Sequence, residues 1–584
     1  MNRFTRDNTI RVWSFLAVLA VALTFGCHAE PDDVAGQAGE LTDPIRRPNA
    51  IANLTRLYTS ALEQAGGDRT AAGPRGVADL SVQALTDCYL QNNSVDVSNS
   101  GDIIDLFFEM RDVRSLPALV AALDWRPEIS EEHAIMAART IRELPLDGAQ
   151  KGEVITALAR ALGRVNGARG VDNRMRIEFI RTLGALRDPR TTAALSEVML
   201  RQSENQNFLI NRLAAEQLGL TADPAAVPAL IRGLFIFDPA NPAMRMNDVA
   251  AQALVRVGRP ALQPLLETLA GRNAEATQIA TAYIAAVRQR APEAAAQMSP
   301  DAVVVGEAAY SLGQLGFREA IDPLLAEVNQ LDEGERPDSI EEDPRDEAHM
   351  VAAALALVSI NREASDTARI REALITVYNR LSPQIRPGHA SRPQILVAMQ
   401  HFQDPELLPF LIARAQRPAR SQDDDPNIRI LAFRGAILLA NGTEIAQLQQ
   451  IYQREPEGDS RDGFGEYEPL FAVTAECNAD LGCWTRKLTD SNTLVVRKAT
   501  YMVARYGRGN ADAVSALVAQ IGHPDEETRG EVLYALDFAA TGGSPEAVAR
   551  IDELRRQEEG RAIWQHTESL ALAIQARLAS RSAS

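Results

Sequence analysis

The sequence predicts an all-α protein, an α-solenoid (superhelix) built from stacked antiparallel helix pairs. Three observations predict it. The chain has 584 residues, more than one ordinary core organises, which leaves several domains or one extended array. Hydrophobic residues make up 46% of the chain but aromatics only 5%, so the core is built from Ala, Leu, Val and Ile. Such a core suits close-packed helices better than a β-sandwich. The third observation is internal repetition of one helix–turn–helix phrase.

The phrase is a helix ending in Leu, a short turn often written Asp-Pro, then a second helix with a Pro in its first turns. It runs through Leu116-Pro117-Ala118-Leu119-Val120 and through Asp223-Pro224-Ala225-Ala226-Val227-Pro228. It returns at Ala261-Leu262-Gln263-Pro264, at Ala320-Ile321-Asp322-Pro323 and at Asp404-Pro405-Glu406-Leu407-Leu408-Pro409. Weaker copies start at Thr191, Thr443, Ala511 and Pro545. Ala-rich segments follow, such as 211–218, 249–257, 306–315 and 495–503, with apolar residues at helical spacing. Asp caps the coming helix, and Pro fits a first turn because its missing N–H has no partner there anyway. The second Pro is expected to kink its helix.

These phrases resemble the HEAT repeat, in particular the short variant named after phycobilin lyases. The resemblance covers residues 110–580, roughly ten to twelve helix pairs. It implies that Asp425 with Arg429, and Asp525 with Arg529, tie neighbouring units together. It also brings to mind the bilin lyases among such proteins, an activity poorly matched to an exported chain. Residues 49–109 are partly helical and match the repeat poorly. They read as an N-terminal cap, since a terminal repeat otherwise exposes its apolar side.

The N-terminus reads as an address. Arg3, Arg6 and Arg11 precede the apolar run from Val12 to Phe25, a basic segment followed by a short apolar one, as in secretory signals. The run is shorter than the roughly 20 residues that span a bilayer. Its end, Gly26-Cys27, resembles the bacterial lipobox, which implies a signal peptide over 1–26 and lipid attached to Cys27. Cleavage after Ala29, or an uncut anchor, are the alternatives. Residues 27–48 are polar, rich in small residues and Pro, and read as a flexible tether.

Cys477 and Cys483 enclose a five-residue loop, 478–482, a spacing that suits a local disulfide in an oxidising compartment. Zinc is disfavoured there, because neither a second CxxC nor an HxxxH accompanies the pair. Cys88 reads as a core residue.

Catalytic patterns are missing: the sequence has no GxSxG, HExxH, Walker A or GxGxxG motif. The seven His are scattered without metal-ligand spacing. Acidic inserts at 332–347, 423–425 and 455–468 could bind calcium in principle, but lack the EF-hand pattern and read as solvated loops. The net charge of -18 argues against nucleic acid as a partner. Together these features predict a non-enzymatic scaffold without metal or cofactor. It would be lipid-anchored at the cell envelope, facing the periplasm or exterior, and would bind protein partners through the solenoid surface. A structural envelope component, or an enzyme with a dispersed site, are the competing readings.

Overall fold

The computed structural model describes residues 29–124, 130–165, 170–201, 206–329, 344–360, 363–381, 392–418, 425–557 and 567–583. They are overwhelmingly helical. The strands among them, Phe237–Asp238 and Asn241–Arg245, form one antiparallel hairpin inside an insert of the repeat pattern.

The repeat phrase has a common geometry. Asp112, Asp223 and Asp404 each accept a hydrogen bond from the backbone N–H two residues on, at 2.9, 3.1 and 3.1 Å. A single 3-10 turn follows (Val113–Ser115, Pro224–Ala226, Pro405–Leu407), and then a short α-helix (Leu116–Leu123, Val227–Gly233, Leu408–Ala415). The expected kink at the second Pro does not occur. Pro117, Pro228 and Pro409 stand at the start of those α-helices, where a proline interrupts no hydrogen bond.

The chain divides into two compact units. The first comprises residues 1–191 and 203–207, and the second residues 192–202 and 208–584. Helices Arg47–Gln64, Ala72–Asn92 and Val97–Met110 belong to the same unit as the repeats up to Thr191. Tyr58 and Arg69 donate to the carbonyls at the end of the third of these helices, Arg69 Nε to Glu109 at 2.8 Å.

The expected tether is corrected from Ala29 onward. Val34–Glu40 is a helix, and Leu41 and Ala38 are buried. The buried Gln37 amide donates to the carbonyls of Ala29 (3.2 Å) and Glu30 (3.0 Å), and Asn53 donates to Gln37 (3.1 Å). Arg56 holds the carbonyl of Pro31 and the carboxylate of Asp32. A polar, Pro-bearing segment thus becomes ordered, because its backbone groups find side-chain partners, Gln37 within the segment and Arg56 on the helix Arg47–Gln64.

In the second unit small residues set the helix separations. A Cβ on Gly219 would lie 2.8 Å from the Ala253 Cα, and one on Gly313 would lie 2.8 Å from the Ala356 Cα. These glycines let helix backbones touch. The C-terminal helix Glu568–Ala583 packs on Asn247–Val257 and Pro300–Leu315, far earlier in the chain. The side chain of Arg577 secures it, donating to the Gln314 carbonyl at 2.8 Å and pairing with Asp537 at 3.0 Å.

Candidate functional site

Within the second unit, helices that are distant in sequence converge on one buried carboxylate, Glu531. It lies on helix Glu526–Ala539, which Asp525 caps. Helix Arg392–Phe402 ends beside it with Gln400 and His401. Helix Thr493–Tyr506 contributes Tyr501, and helix Pro426–Leu439 contributes Arg434. The Gln400 amide donates to Tyr501 Oη and to Glu531 Oε1, each at 2.8 Å, and Tyr501 donates to Glu531 Oε2. Arg434 reaches Glu531 Oε1 at 3.3 Å and also pairs with Glu527. His401 Nε2 lies 3.5 Å from Glu531 Oε2, and its ring stacks on Tyr534 with centroids 4.1 Å apart.

Burial raises the Glu531 pKa, but His401, the Tyr501 hydroxyl and Arg434 outweigh it and hold the carboxyl below its ordinary value. Burial and the facing carboxylate push Tyr501 well above its ordinary value, so it remains a hydrogen-bond donor. Tyr534 is pushed up to about 12, by burial first and then by Glu531.

His401 and Tyr534 also line a cavity of about 40 Å³, whose wall includes Arg508, Phe538, Thr541 and Arg581. That is room for about three waters. It is far below the ~300–1,000 Å³ of pockets that enclose a small-molecule ligand. Arg581 is held by Asp537, at 2.9 Å to its carboxylate and 2.8 Å to its carbonyl. Arg508 is different. It is exposed, its guanidinium lies 4.6 Å above the Phe538 ring, and among the described residues it makes no ion pair. Its exposed guanidinium is thus available to an anionic group from outside.

Cys477 and Cys483 form a disulfide with Cα atoms 5.3 Å apart. The adjoining Glu476 completes a metal-like trio, but with both sulfurs in the bond no thiolate is left to act as ligand. Lys498, whose Nζ lies 5.8 Å from the centroid of the Trp484 ring, is fully buried and caps the end of helix Pro426–Leu439 by donating to the carbonyls of Ile437 (2.7 Å), Leu438 (3.2 Å) and Ala440. Burial lowers its pKa well below the ordinary value. Cys88 is buried and free.

Asp425 caps its own helix, accepting from Asn427 N at 2.9 Å. Arg429 does not turn to the Asp425 carboxylate. It reaches the Glu455 carboxylate at 2.8 Å, Ser460 Oγ at 3.2 Å and the Ala415 carbonyl at 3.3 Å. Asp525 accepts from Thr528 and from Arg497 of the preceding helix pair, at 2.8 Å. Burial opposes its ionisation, but these bonds prevail and bring its pKa to about 2. Arg529 is buried and donates to the carbonyls of His523 (2.8 Å) and Pro524 (3.1 Å). Cys27 lies outside the described residues, as do Asp423, Asp424 and most of the acidic insert at 332–347.

Sequence reasoning missed a recurrent rung in which an Arg pairs with a carboxylate one repeat further on. Arg139 with Glu178 (3.0 Å), Arg212 with Asp248 (2.7 Å), Arg318 with Asp366 (2.7 Å), Arg371 with Asp404 (2.7 Å) and Arg497 with Asp525 (2.8 Å) all follow it. Opposite charges spaced by one repeat length were the available signal. Glu307 adds a bond of another kind, pairing at 2.7 Å with Arg245 at the end of the hairpin.

Residues 304–329 match the PBS lyase HEAT-like repeat. The chain carries a HEAT-like repeat. The matched stretch holds Glu307, the close-contact Gly313 and the rung Arg318, so this repeat bears the packing features of the unit around it. No curated protein matches the sequence. Among solved structures, the karyopherin Kap121p bound to the SUMO protease Ulp1p is similar at 13% identity and a TM-score of 0.44, covering 99% of this chain and 62% of that one. Kap121p alone is similar at 12% identity and 0.40, covering 99% and 78%. A structure from work on the interaction between cadherin and β-catenin is similar at 13% identity and 0.27, covering 82% and 91%. The chain thus spans less than two thirds of the first of these proteins.

Proposed function

We propose that this HEAT-like solenoid is an extracytoplasmic scaffold, tethered to a membrane through lipid on Cys27, that binds other proteins on its surface. The cavity lined by His401, Tyr534 and Arg508 carries the reading. Arg508 is stacked on an aromatic ring, exposed and without a counter-charge among the described residues, in a protein of net charge -18. An arginine so placed is the kind of anchor that dominates protein interfaces. The small cavity behind it suits the tip of a partner's acidic side chain. The stacked repeats add an extended surface on which such an anchor can act with neighbours. Arg3, Arg6 and Arg11 of the amino-terminal signal, the lipobox-like Gly26-Cys27 and the Cys477–Cys483 disulfide favour an oxidising, extracytoplasmic location.

The test is crosslinking and affinity capture from native envelope, with the full chain and its Arg508→Glu variant. A partner captured by the parent and at least tenfold depleted with the variant is the expected result. Equal recovery with both removes Arg508 from the interface, and no specific recovery by the parent overturns the scaffold reading.

A further inference from the structure

The start of the first unit gathers features that have no role in its packing. Ile45 is 87% exposed and Val95 is 84% exposed, the two most exposed large apolar side chains among the described residues. They stand on separate loops, yet the fold clamps those loops side by side. Arg47, two residues after Ile45, pairs at 2.9 Å with Asp96, the residue after Val95. Arg47 Nε also donates to the Leu41 carbonyl at 2.9 Å, and Cys88, near the end of the helix leading to Val95, lies 3.7 Å from the same carbonyl.

The chain enters the folded body at this same place. The backbone N–H of Ala29 donates to Glu40 Oε1 at 2.9 Å, and Arg46, next to Ile45, lies 3.5 Å from that same oxygen. The 29–33 segment is further pinned by Gln37 and Arg56. Ala29 is two positions after Cys27, which is at most about 7 Å of extended chain. A lipid on Cys27 therefore has no long tether. It brings the bilayer surface to within roughly 10 Å of Glu40 and Arg46, where Ile45 and Val95 project.

We infer that Ile45 and Val95 are a membrane-contacting pair that seats the first unit on the lipid interface beside the Cys27 anchor. This rests on the lipidation reading. Apolar side chains at loop tips gain by leaving water for the acyl boundary, and beside a covalent anchor they need not supply the binding alone. The surroundings fix the kind of surface. Glu30, Asp32, Asp33, Glu40 and Asp43 outnumber Arg46 and Arg47 within 29–48, so the site fits zwitterionic headgroups and disfavours a strongly anionic leaflet.

The experiment uses the full chain, processed in a bacterial envelope and reconstituted into phosphatidylcholine vesicles containing brominated acyl chains. Tryptophan is introduced singly as Ile45→Trp, Val95→Trp or Leu80→Trp, and the parent chain's own tryptophans set the background. Leu80 is exposed too, but it stands on helix Ala72–Asn92, about 18 Å along its axis from the end nearest Val95. The inference expects bromine to quench the added emission at 45 and 95 by at least twofold, with position 80 unaffected. Mass measurement of the N-terminal peptide is read in parallel. A lipid-bearing chain with no quenching at 45 and 95, or equal quenching at all three positions, overturns the inference and leaves the lipidation reading standing. An N-terminal peptide without lipid overturns both.

Discussion

The two units hold together in different ways. In the first, the long-range polar bonds join helices that follow one another closely. Arg111 pairs with Glu143, Arg139 and Arg142 with Glu178, Arg174 with Glu132, and Thr182 donates to the Ala138 carbonyl. These partners lie within about one repeat of each other, the nearest-neighbour logic of a repeat array. The second unit has such rungs as well, but it adds bonds that skip repeats. Gln400 reaches Glu531 across 131 positions, Arg434 reaches Glu527 across 93, and Arg577 reaches Gln314 across 263. The difference teaches that one repeat sequence can build either a chain of local contacts or a body closed by a few distant polar bonds. In the second case the cooperativity depends on those few.

The comparison is most exposed to Glu531→Ala. This change leaves the Gln400 amide, the Tyr501 hydroxyl and Arg434 without their shared acceptor in a buried site. A loss of about 3–5 kcal/mol is expected in denaturant unfolding of the second unit. Arg577→Met should cost less, about 2–3 kcal/mol, because Arg581 still holds Asp537 and the methionine keeps much of the apolar stem's packing. Its signature is reach: hydrogen exchange should rise in helix Pro300–Leu315 as well as in the C-terminal helix. Protection unchanged at 300–315 would mean that the closure is not a stabilising element.

In the first unit, Glu178→Ala should cost about 1–2 kcal/mol, since Arg139 and Arg142 are partly exposed and rehydrate. Faster exchange should stay within the adjacent helices Glu131–Arg142 and Gly170–Ala185. If it spread to Val34–Glu40, the local character assigned to this unit would be wrong.

The smallest effect is one of pH, and it touches both units alike. Asp188 is held at about 2, first by the hydrogen bond from Arg190, and Asp525 also lies at about 2. Both values are depressed from 3.8, so their contribution to stability is complete above that value and is lost as pH falls through about 2. Carboxyl titration by NMR should show both midpoints well below those of exposed Asp residues. An ordinary midpoint at Asp525 would show that the Arg497 rung does not persist in solution.

Local features were legible in the sequence to the extent that they are local. Asp-Pro turns, Ala-rich faces and the Cys477–Cys483 bridge follow from residues a few positions apart. The ordered start at 29–48 was hidden because its stabilisation comes from Gln37, Asn53 and Arg56, side chains that look like ordinary surface polarity until the helices are placed. The Arg429 bonds were hidden for a related reason: one turn of helix separates Arg429 from Asp425, yet its guanidinium finds Glu455 instead. The Glu531 cluster draws on residues from 400 to 534, so its existence depends on the summed rotations of several helix pairs. A short motif cannot encode such a sum.

The helix Glu568–Ala583 is made by the ribosome after every segment it closes upon. Until it emerges, the Gln314 carbonyl and one side of Asp537 face water, and the helices Asn247–Val257 and Pro300–Leu315 keep an uncovered flank. Completion of the second unit therefore waits on the last helix to be synthesised.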